Sequence, residues 1–331
     1  MPVSEGHEGI ILVADDNEAN RELLSALLSA EGYEVVCATN GQEALARVRS
    51  GSIDLALLDV VMPRPSGFEV CQAMKSEPET RLIPVVLLTS LNSDADRIHG
   101  IMCGADDFLN KPVNKQELLA RVHSLLRLKQ FTDELDNAEM VLFSLALTIE
   151  AKDPYTEGHC DRLSKYSVAL GEKLGLPQDL RLALRRGGLI HDIGKLAVPE
   201  SILLKPGPLT PEERKTMEQH TIEGERICAP LRSFRNVLPI IRHHHEKQDG
   251  SGYPDGLKGE QVPLTARILQ ITDIYDALTT DRPYRKALPQ EKAFAIMREE
   301  VKRGWWDGLI LDEFEAVVRD REPVHPAGSS S

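Results

Sequence analysis

Five short apolar runs, separated by amphipathic segments, occupy the first 125 residues of this chain of 331 residues. The runs are Ile10–Ala14, Glu34–Ala38, Leu55–Asp59, Pro84–Leu88 and Phe108–Asn110. Runs of this length that alternate with helical patterns, such as Arg21–Ser29 and Glu43–Val48, are typical of βα units. Successive βα units form a parallel sheet with helices on both faces. The sequence therefore predicts an α/β domain with a doubly wound, five-stranded parallel sheet.

The reactive side chains of this region follow the predicted strands. Asp15 and Asp16 come after the first strand, Asp59 ends the third, Thr89 follows the fourth and Lys111 follows the fifth. The carboxyl ends of parallel strands meet at one edge of a sheet, where such folds bind their ligands. Carboxylates gathered there repel one another unless a cation lies among them, and oxygen ligands suit Mg²⁺. A carboxylate in such a place can also attack a phosphoryl group.

The same residues carry a resemblance to a known family. The run Asp59-Val-Val-Met-Pro63, with Gly67 and the pair Lys111-Pro112, resembles the receiver domain of bacterial response regulators, over roughly Gly9 to Leu128. The resemblance implies a flavodoxin-like fold and phosphorylation of Asp59 by a cognate histidine kinase. It also implies a Mg²⁺ site made of Asp15, Asp16 and Asp59, and a switch made of Thr89, Phe108 and Lys111.

A second set of unusual residues is rich in histidine. The segment His191-Asp192-Ile-Gly-Lys195 offers an imidazole and a carboxylate side by side, and further candidate metal ligands lie around it: His159, His220, His244, His245 and Asp273. Each histidine alone has an ordinary explanation, as an exposed residue or as a core residue with a backbone partner. Several imidazoles on the apolar faces of separate helical segments cost free energy unless something pairs with them, and a divalent metal is the natural partner.

The order of these residues resembles that of the HD-GYP family, metal-dependent phosphodiesterases that cut the bacterial second messenger cyclic di-GMP. The resemblance runs from about Lys152 to Asp307 and includes the loop from His244 to Gly252-Tyr-Pro254 and the segment Asp273-Ile-Tyr-Asp-Ala277. It implies one metal held by His159, His191, Asp192 and Asp273, and another held by Asp192, His220, His244 and His245. The family leans to iron or manganese, and imidazole with carboxylate also suits nickel or zinc.

Phosphodiester hydrolysis needs a nucleophile at neutral pH and compensation for charge on the phosphoryl oxygens, and two neighbouring metals supply both. The resemblance makes Asp192 a bridging ligand and gives Lys195 the role of an ammonium facing the scissile phosphate. It places Tyr253, Asp276, Arg282 and Arg285 at positions that contact substrate. For Asp276 a structural cap or salt bridge is a nearly equal alternative. His243 is expected to be a bystander.

One position departs from the family pattern. Some members hold a third metal through a glutamate four residues before the histidine equivalent to His159, and Tyr155 stands there in this chain. A protonated phenol is a poor metal ligand. The sequence therefore predicts two metals in this domain.

A long helix is expected between the two regions, because no turn signal appears from Asn114 to about Ala151. Apolar residues spaced by three or four follow its second part: Leu128, Phe131, Leu135, Ala138, Leu142, Leu145 and Ile149. Such a row is typical of a coiled coil, which favours a homodimer, although Leu118, Val122 and Leu125 are out of phase with it. In the alternative, the first part packs on the first domain and the second part on the second domain.

These patterns together divide the chain into four predicted segments. We expect a receiver domain at 9–128, a helical linker at 129–151, an all-α HD-GYP domain of the HD superfamily at 152–320 and a disordered tail at 321–331. No alternating strand pattern is convincing in the third of these segments. Thr210-Pro-Glu-Glu213 predicts a helix start with a capping box.

Charge and cysteine content exclude several classes of protein. The net charge of −13 argues against general affinity for nucleic acid or an anionic membrane. No basic helix-turn-helix pattern indicates a DNA-binding output. Five separated cysteines without a Cys-x-x-Cys pair suit a reducing cytoplasm. No apolar stretch approaches the roughly 20 residues that a membrane span needs, and no signal peptide is evident, so a cytoplasmic protein is expected.

The two resemblances predict a response regulator in which phosphorylation of Asp59 controls hydrolysis of cyclic di-GMP to pGpG, GMP or both. One alternative is a phosphodiesterase that acts mainly on pGpG or on a hybrid cyclic dinucleotide. Another is an adaptor that senses the ligand with little catalysis. The intact ligand set, with Lys195 and Tyr253, favours the enzyme.

Overall fold

The computed structural model describes residues 9–90, 94–152, 158–281 and 286–321. The predicted tail beyond Arg321 and the site candidates Tyr155, Arg282 and Arg285 lie outside these ranges. The chain divides into two compact units, Met1–Asn137 and Ala138–Ser331. None of the helices in the described ranges has both the length and the hydropathy needed to cross a membrane.

The first unit is built on a five-stranded parallel sheet in the order β2-β1-β3-β4-β5. Its strands are β1 (Ile10–Ala14), β2 (Glu34–Ala38), β3 (Leu55–Asp59), β4 (Val85–Thr89) and β5 (Asp107–Asn110). Its helices are α1 (Glu18–Ser29), α2 (Gly41–Arg49), α3 (Gly67–Ser76), α4 (Asp94–Met102) and the start of α5 (Lys115–Lys152). The predicted α/β fold is confirmed. Strand β4 begins one residue later than predicted, after Pro84, which has no backbone N–H to donate.

The two central strands explain why this sheet could be predicted. Every residue of β3 and β4 is buried, because helices cover both faces of a parallel sheet and the strands read as continuous apolar runs. Alternate residues face opposite sides: Leu12 and Leu58 belong to one core cluster, and Ile11 and Leu57 belong to the other. The pairing of Ala14 with Leu58 brings the carboxyl ends of β1 and β3 together.

Helix α5 changes its buried face along its length. Leu118 and Val122 lie in the core of the first unit, whereas Ala146 and Ile149 lie in the core of the second. Between them the side chains of Leu128, Phe131 and Leu135 are exposed by 62%, 50% and 50%. The packing of the two ends fits the interpretation in which each packs on its own domain. The exposed middle row remains available to a partner.

The described residues of the second unit form helices and no strands. The helices are α6 (His159–Lys173), α7 (Gln178–Ile190), α8 (Glu200–Leu203), α9 (Pro211–Glu218), α10 (His220–Cys228), α11 (Leu238–His243), α12 (Leu264–Thr279), α13 (Gln290–Lys302) and α14 (Gly308–Arg321). Short 3₁₀ helices occur at Ile193–Ala197, Arg232–Phe234 and Gly259–Gln261. The predicted capping box of α9 is present: Glu213 N–H donates to Thr210 Oγ1 at 3.3 Å, and Thr210 N–H donates to the Glu213 carboxylate at 2.8 Å.

Close backbone approaches at two glycines shape the centre of this unit. A Cβ on Gly188 of α7 would lie 2.6 Å from the backbone nitrogen of Ser164 on α6. A Cβ on Gly194 would lie 1.8 Å from the carbonyl oxygen of His220. Side chains larger than hydrogen are therefore excluded at both places. The second approach brings the residues around Asp192 directly against the start of α10.

Candidate metal centres

The ends of several helices deliver the predicted metal ligands to one region of the second unit. His159 and His220 are the first residues of α6 and α10, His191 follows α7, and Asp273 lies within α12. Two groups result, in each of which one candidate ligand atom per residue lies within 4.8 Å of the others. The first metal cluster contains His159, His191 and Asp273, and the second metal cluster contains Asp192, His220, His244 and His245.

Asp192 lies between the two clusters. Its Oδ2 is 3.3 Å from Nε2 of His191. Its Oδ1 is 3.3 Å from Nε2 of His220 and 3.8 Å from Nε2 of His244. One carboxylate oxygen thus faces each cluster, which is the arrangement that a bridging ligand requires.

In the second metal cluster, the Nε2 atoms of His220 and His244 face each other. Nδ1 of His220 lies 2.7 Å from the Met217 carbonyl, and Nδ1 of His244 lies 2.8 Å from the Ile241 carbonyl. Carbonyls only accept hydrogen bonds, so the proton of each neutral ring is on Nδ1 and Nε2 carries a lone pair. These Nε2 atoms are 3.4 Å apart. Such lone pairs repel each other unless a cation lies between them.

The oxygen of Asp192 that faces this cluster points to the same conclusion. Within the described residues, the buried Oδ1 of Asp192 has no hydrogen-bond partner. An unpartnered buried oxygen costs free energy that a metal would recover. The donor set of imidazoles and carboxylates fits divalent transition metals.

Protonation states at neutral pH suit metal binding. Burial lowers the pKa of His220 to about 4. Burial, with the neighbouring rings of His244 and His220, holds the pKa of His245 well below its usual value. Burial opposes ionisation of Asp192, but Lys195 and His191 outweigh it and hold the pKa of the carboxyl well below its usual value. The His220 and His245 rings are therefore neutral and Asp192 is ionised, which are the forms that bind metal.

Lys195 and Tyr253 lie beside these clusters, as the sequence predicts. The Nζ atom of Lys195 is 2.5 Å from Oδ2 of Asp192, in the 3₁₀ helix that follows the His-Asp pair. The Tyr253 ring lies over the second metal cluster, with its centroid 4.8 Å from that of His245 and 6.3 Å from that of His220. An ammonium thus lies beside Asp192 and an aromatic ring beside His245.

Asp276 is buried and paired with protein side chains, unlike a residue that contacts substrate. The residue is 2% exposed, its Oδ2 is 2.7 Å from Nδ1 of His159, and its Oδ1 is 2.5 Å from Nε of Arg162. Both carboxylate oxygens of Asp276 are thus paired with donors of the protein, as expected for the alternative in which Asp276 forms a salt bridge. Arg162 was not among the residues predicted from the sequence. Its position one helical turn after His159, matching that of Asp276 one turn after Asp273, was the available signal.

His243 belongs to a separate group. Its Nδ1 lies 3.6 Å from Asp255 and 3.8 Å from Glu246. Arg242 donates to Asp255 at 2.7 Å, and Glu246 accepts the backbone N–H of Asp255 at 2.7 Å. The guanidinium and the backbone donors already satisfy these carboxylates, so this group stabilises the glycine-rich loop. The bystander role predicted for His243 fits this position.

A fourth group of candidate ligands, the acidic edge, lies in the first unit at the carboxyl ends of the strands. Potential ligand oxygens of Asp15, Asp16 and Asp59 lie within 4.8 Å of one another. The Nζ atom of Lys111 is 2.7 Å from Asp15 and 2.9 Å from Asp59. Burial raises the pKa of Asp59, while Lys111 acts in the opposite direction. The arrangement supplies the oxygen ligands and the ammonium that a phosphoryl group and Mg²⁺ would need.

The remaining receiver candidates lie on the neighbouring strands. Thr89 is buried at the end of β4 and pairs in register with Asn110 of β5. Phe108 packs closely against α4, because a Cβ on Gly100 would lie 2.2 Å from its ring. Thr89 thus lies beside β5, and Phe108 contacts α4.

Comparisons with known proteins agree with both halves of this description. The family model of the HD domain matches residues 144–310, and that of the response regulator receiver domain matches residues 11–123. A probable cyclic di-GMP phosphodiesterase of Vibrio cholerae is 36% identical, over 95% of this chain and 79% of that protein. The cyclic di-GMP phosphodiesterase response regulator RpfG of Xanthomonas campestris is 34% identical, over 87% of this chain and 82% of its own length. A 3'3'-cGAMP-specific phosphodiesterase 3 of Vibrio cholerae is 41% identical, over 50% of this chain and 37% of that protein.

Proposed function

The chain belongs to the family of two-component response regulators that join a receiver domain to an HD-type cyclic di-GMP phosphodiesterase domain, and we propose that it hydrolyses cyclic di-GMP with two divalent metals under the control of Asp59 phosphorylation. The observation that carries the proposal is Asp192, which directs one carboxylate oxygen to each metal cluster. A phosphodiester requires charge compensation on both sides of the reacting phosphorus, and two adjacent metal sites provide it.

Each residue of the centre has a proposed role. His159, His191 and Asp273 would hold one metal, His220, His244 and His245 the other, and Asp192 would be shared. When bound, the metals would supply a nucleophilic water at neutral pH and would neutralise charge on the phosphoryl oxygens. Lys195 would donate to the scissile phosphate, and Tyr253 would border the substrate. Iron or manganese is proposed, with nickel or zinc as alternatives.

The proposed substrate is cyclic di-GMP, with pGpG, GMP or both as products. Three relatives that match 86% to 95% of this chain are named for cyclic di-GMP. Two relatives of Vibrio cholerae named for 3'3'-cGAMP match 50% and 66% of this chain, so a hybrid cyclic dinucleotide is the second candidate. Because the full set of candidate ligands is present, a sensing adaptor without catalysis is less well supported.

Protein purified without added metal should contain about two equivalents of metal and should convert cyclic di-GMP to a linear product. Elemental analysis combined with chromatography of the products, run in parallel with 3'3'-cGAMP and pGpG, checks this directly. A chelator should remove both the metal and the activity. Three bound equivalents would contradict the binuclear assignment that rests on Tyr155, and two bound equivalents with no cleavage of any dinucleotide would favour the adaptor.

Replacing Lys195 with alanine should lower kcat by about 100-fold, the scale expected when one donor to a developing negative charge is lost. Lys302→Ala is the matched control, because Lys302 also pairs with an acidic residue three positions away, Glu299, at 2.6 Å on an exposed surface. Steady-state kinetics and metal analysis should be measured on both variants. If Lys195→Ala instead loses metal with a proportional loss of rate, the lysine only balances the charge of Asp192.

Control by the receiver is proposed to pass along α5. Asp59 would accept the phosphoryl group from a histidine kinase, with Mg²⁺ at Asp15 and Asp16. The last turn of α5 carries Glu150, whose carboxylate accepts the backbone N–H of Cys160 at 3.3 Å. Cys160 directly follows the metal-cluster residue His159, so displacement of α5 would reach the centre. The exposed row at Leu128, Phe131 and Leu135 supports the further proposal that α5 pairs with a second copy.

A further inference from the structure

Behind the first metal cluster, the buried Asp276 forms an ion pair with the partly exposed Arg162. We infer that Asp276 is a positioning residue, which fixes the His159 ring so that Nε2 faces the metal, and that Arg162 holds Asp276 in place. This inference deepens the proposed function and rests on it. It replaces contact with substrate as the role of Asp276.

The hydrogen bond to Asp276 sets the tautomer of His159. The Oδ2 atom of Asp276 is 2.7 Å from Nδ1 of His159, and an ionised carboxylate only accepts. Nδ1 therefore carries the proton, and the lone pair of the neutral ring is on Nε2. That nitrogen lies 3.5 Å from Oδ1 of Asp273, on the side of the first metal cluster.

The Nδ1 atom of His159 has a carboxylate partner, whereas the Nδ1 atoms of three other candidate ligands have backbone carbonyl partners. Nδ1 of His191 lies 3.3 Å from the Gly188 carbonyl, and the Nδ1 atoms of His220 and His244 also lie beside backbone carbonyls. A carboxylate partner carries a full negative charge and raises the basicity of the ring more than a carbonyl does. Loss of Asp276 should therefore weaken the first metal cluster and leave the second nearly unchanged.

Arg162 fixes Asp276 through two hydrogen bonds. Its Nε donates to Oδ1 at 2.5 Å and its Nη2 donates to Oδ2 at 3.1 Å. Arg162 is one turn after His159 on α6, and Asp276 is one turn after Asp273 on α12, so each pair shares a helix face. The ion pair thus aligns the two helices that carry ligands of the same metal.

The variant Asp276→Asn tests the inference in the full-length protein. An asparagine side chain has one acceptor oxygen where aspartate has two, so either Nδ1 of His159 or Nε of Arg162 loses its acceptor. With Mn²⁺ as the probe, calorimetric titration should show two sites in the wild type. In the variant, one site should keep its affinity and the other should bind about 10- to 100-fold more weakly.

A matched control separates positioning from simple packing of α6 on α12. Ser167 and Thr272 form another fully buried polar contact between these helices, at 2.9 Å, and Ser167 belongs to neither cluster. Ser167→Ala should keep both Mn²⁺ sites even if its melting temperature falls. A purely structural role for Asp276 predicts a lower melting temperature with both sites affected equally, and that result would overturn the inference.

A second variant covers the case in which Asp276→Asn does not fold. Arg162→Lys keeps the positive charge but loses the planar fork, so Mn²⁺ binding at one site should weaken to a value between the wild type and the asparagine variant. Wild-type affinity at both sites in either folded variant would overturn the inference. Failure of the wild type to bind two metals would instead contradict the proposed function.

Discussion

Replacing Asp192 with alanine is expected to abolish cleavage of cyclic di-GMP. The loss should exceed the roughly 10- to 100-fold cost of removing an outer partner of a metal ligand, because Asp192 would itself be a ligand of both metals. Its two oxygens lie 3.3 Å from Nε2 of His191 and 3.3 Å from Nε2 of His220. Without this carboxylate, each cluster loses an anionic donor. Metal content and the rate of product formation should therefore fall together.

Two controls make this experiment specific. Asp312→Ala removes a carboxylate that pairs with Arg298 at 3.0 Å on an exposed part of α14, and it should keep both metal and rate. Phosphorylation of Asp192→Ala by a small phosphodonor should proceed as in the wild type, because Asp59 lies in the other compact unit. Cleavage by Asp192→Ala at the wild-type rate would overturn the assignment of the centre.

The fold of the first unit could be predicted because local pattern and burial coincide there. Strands β3 and β4 are buried throughout, so their apolar runs have no polar interruption, and the sequence changes character only where each strand ends. The gathering of Asp15, Asp16 and Asp59 at one edge of the sheet follows from the parallel arrangement of the strands alone. Strand β4 begins one residue after the predicted start at Pro84. The prediction followed the apolar run, and hydrophobicity alone does not reflect that proline lacks a backbone N–H.

The metal ligands could be named from the sequence, but parts of their environment could not. The contact between the backbones of Gly194 and His220 joins two segments whose spacing carries no information about distance. The pairing of Arg162 with Asp276 spans 114 positions of the chain. The position of Arg162 one turn after His159 can be read from the sequence, whereas its pairing with Asp276 depends on the packing of α6 on α12. Long-range polar pairs of this kind require the tertiary structure.

The second large effect is expected from insertions into α5. One residue inserted after Lys129 would rotate the following part of the helix by about 100°, whereas seven residues would nearly restore the original face. The helix is fixed at one end by Leu118 and Val122 in the first core, and at the other by Ile149 in the second core. Rotation should therefore misdirect Glu150, whose carboxylate accepts the N–H of Cys160 beside His159.

The single insertion should make hydrolysis independent of Asp59 phosphorylation, and the insertion of seven residues should largely preserve the response. The measurement is the ratio of rates with and without a small phosphodonor, with Asp59→Asn as the variant that cannot respond. Metal content should be determined for each protein, because a damaged centre would lower the rate under both conditions without changing their ratio. If both insertions respond alike, α5 is only a tether and the signal travels by another route. If only the seven-residue insertion responds, the orientation of the helix carries the signal from the acidic edge to the metal ligands.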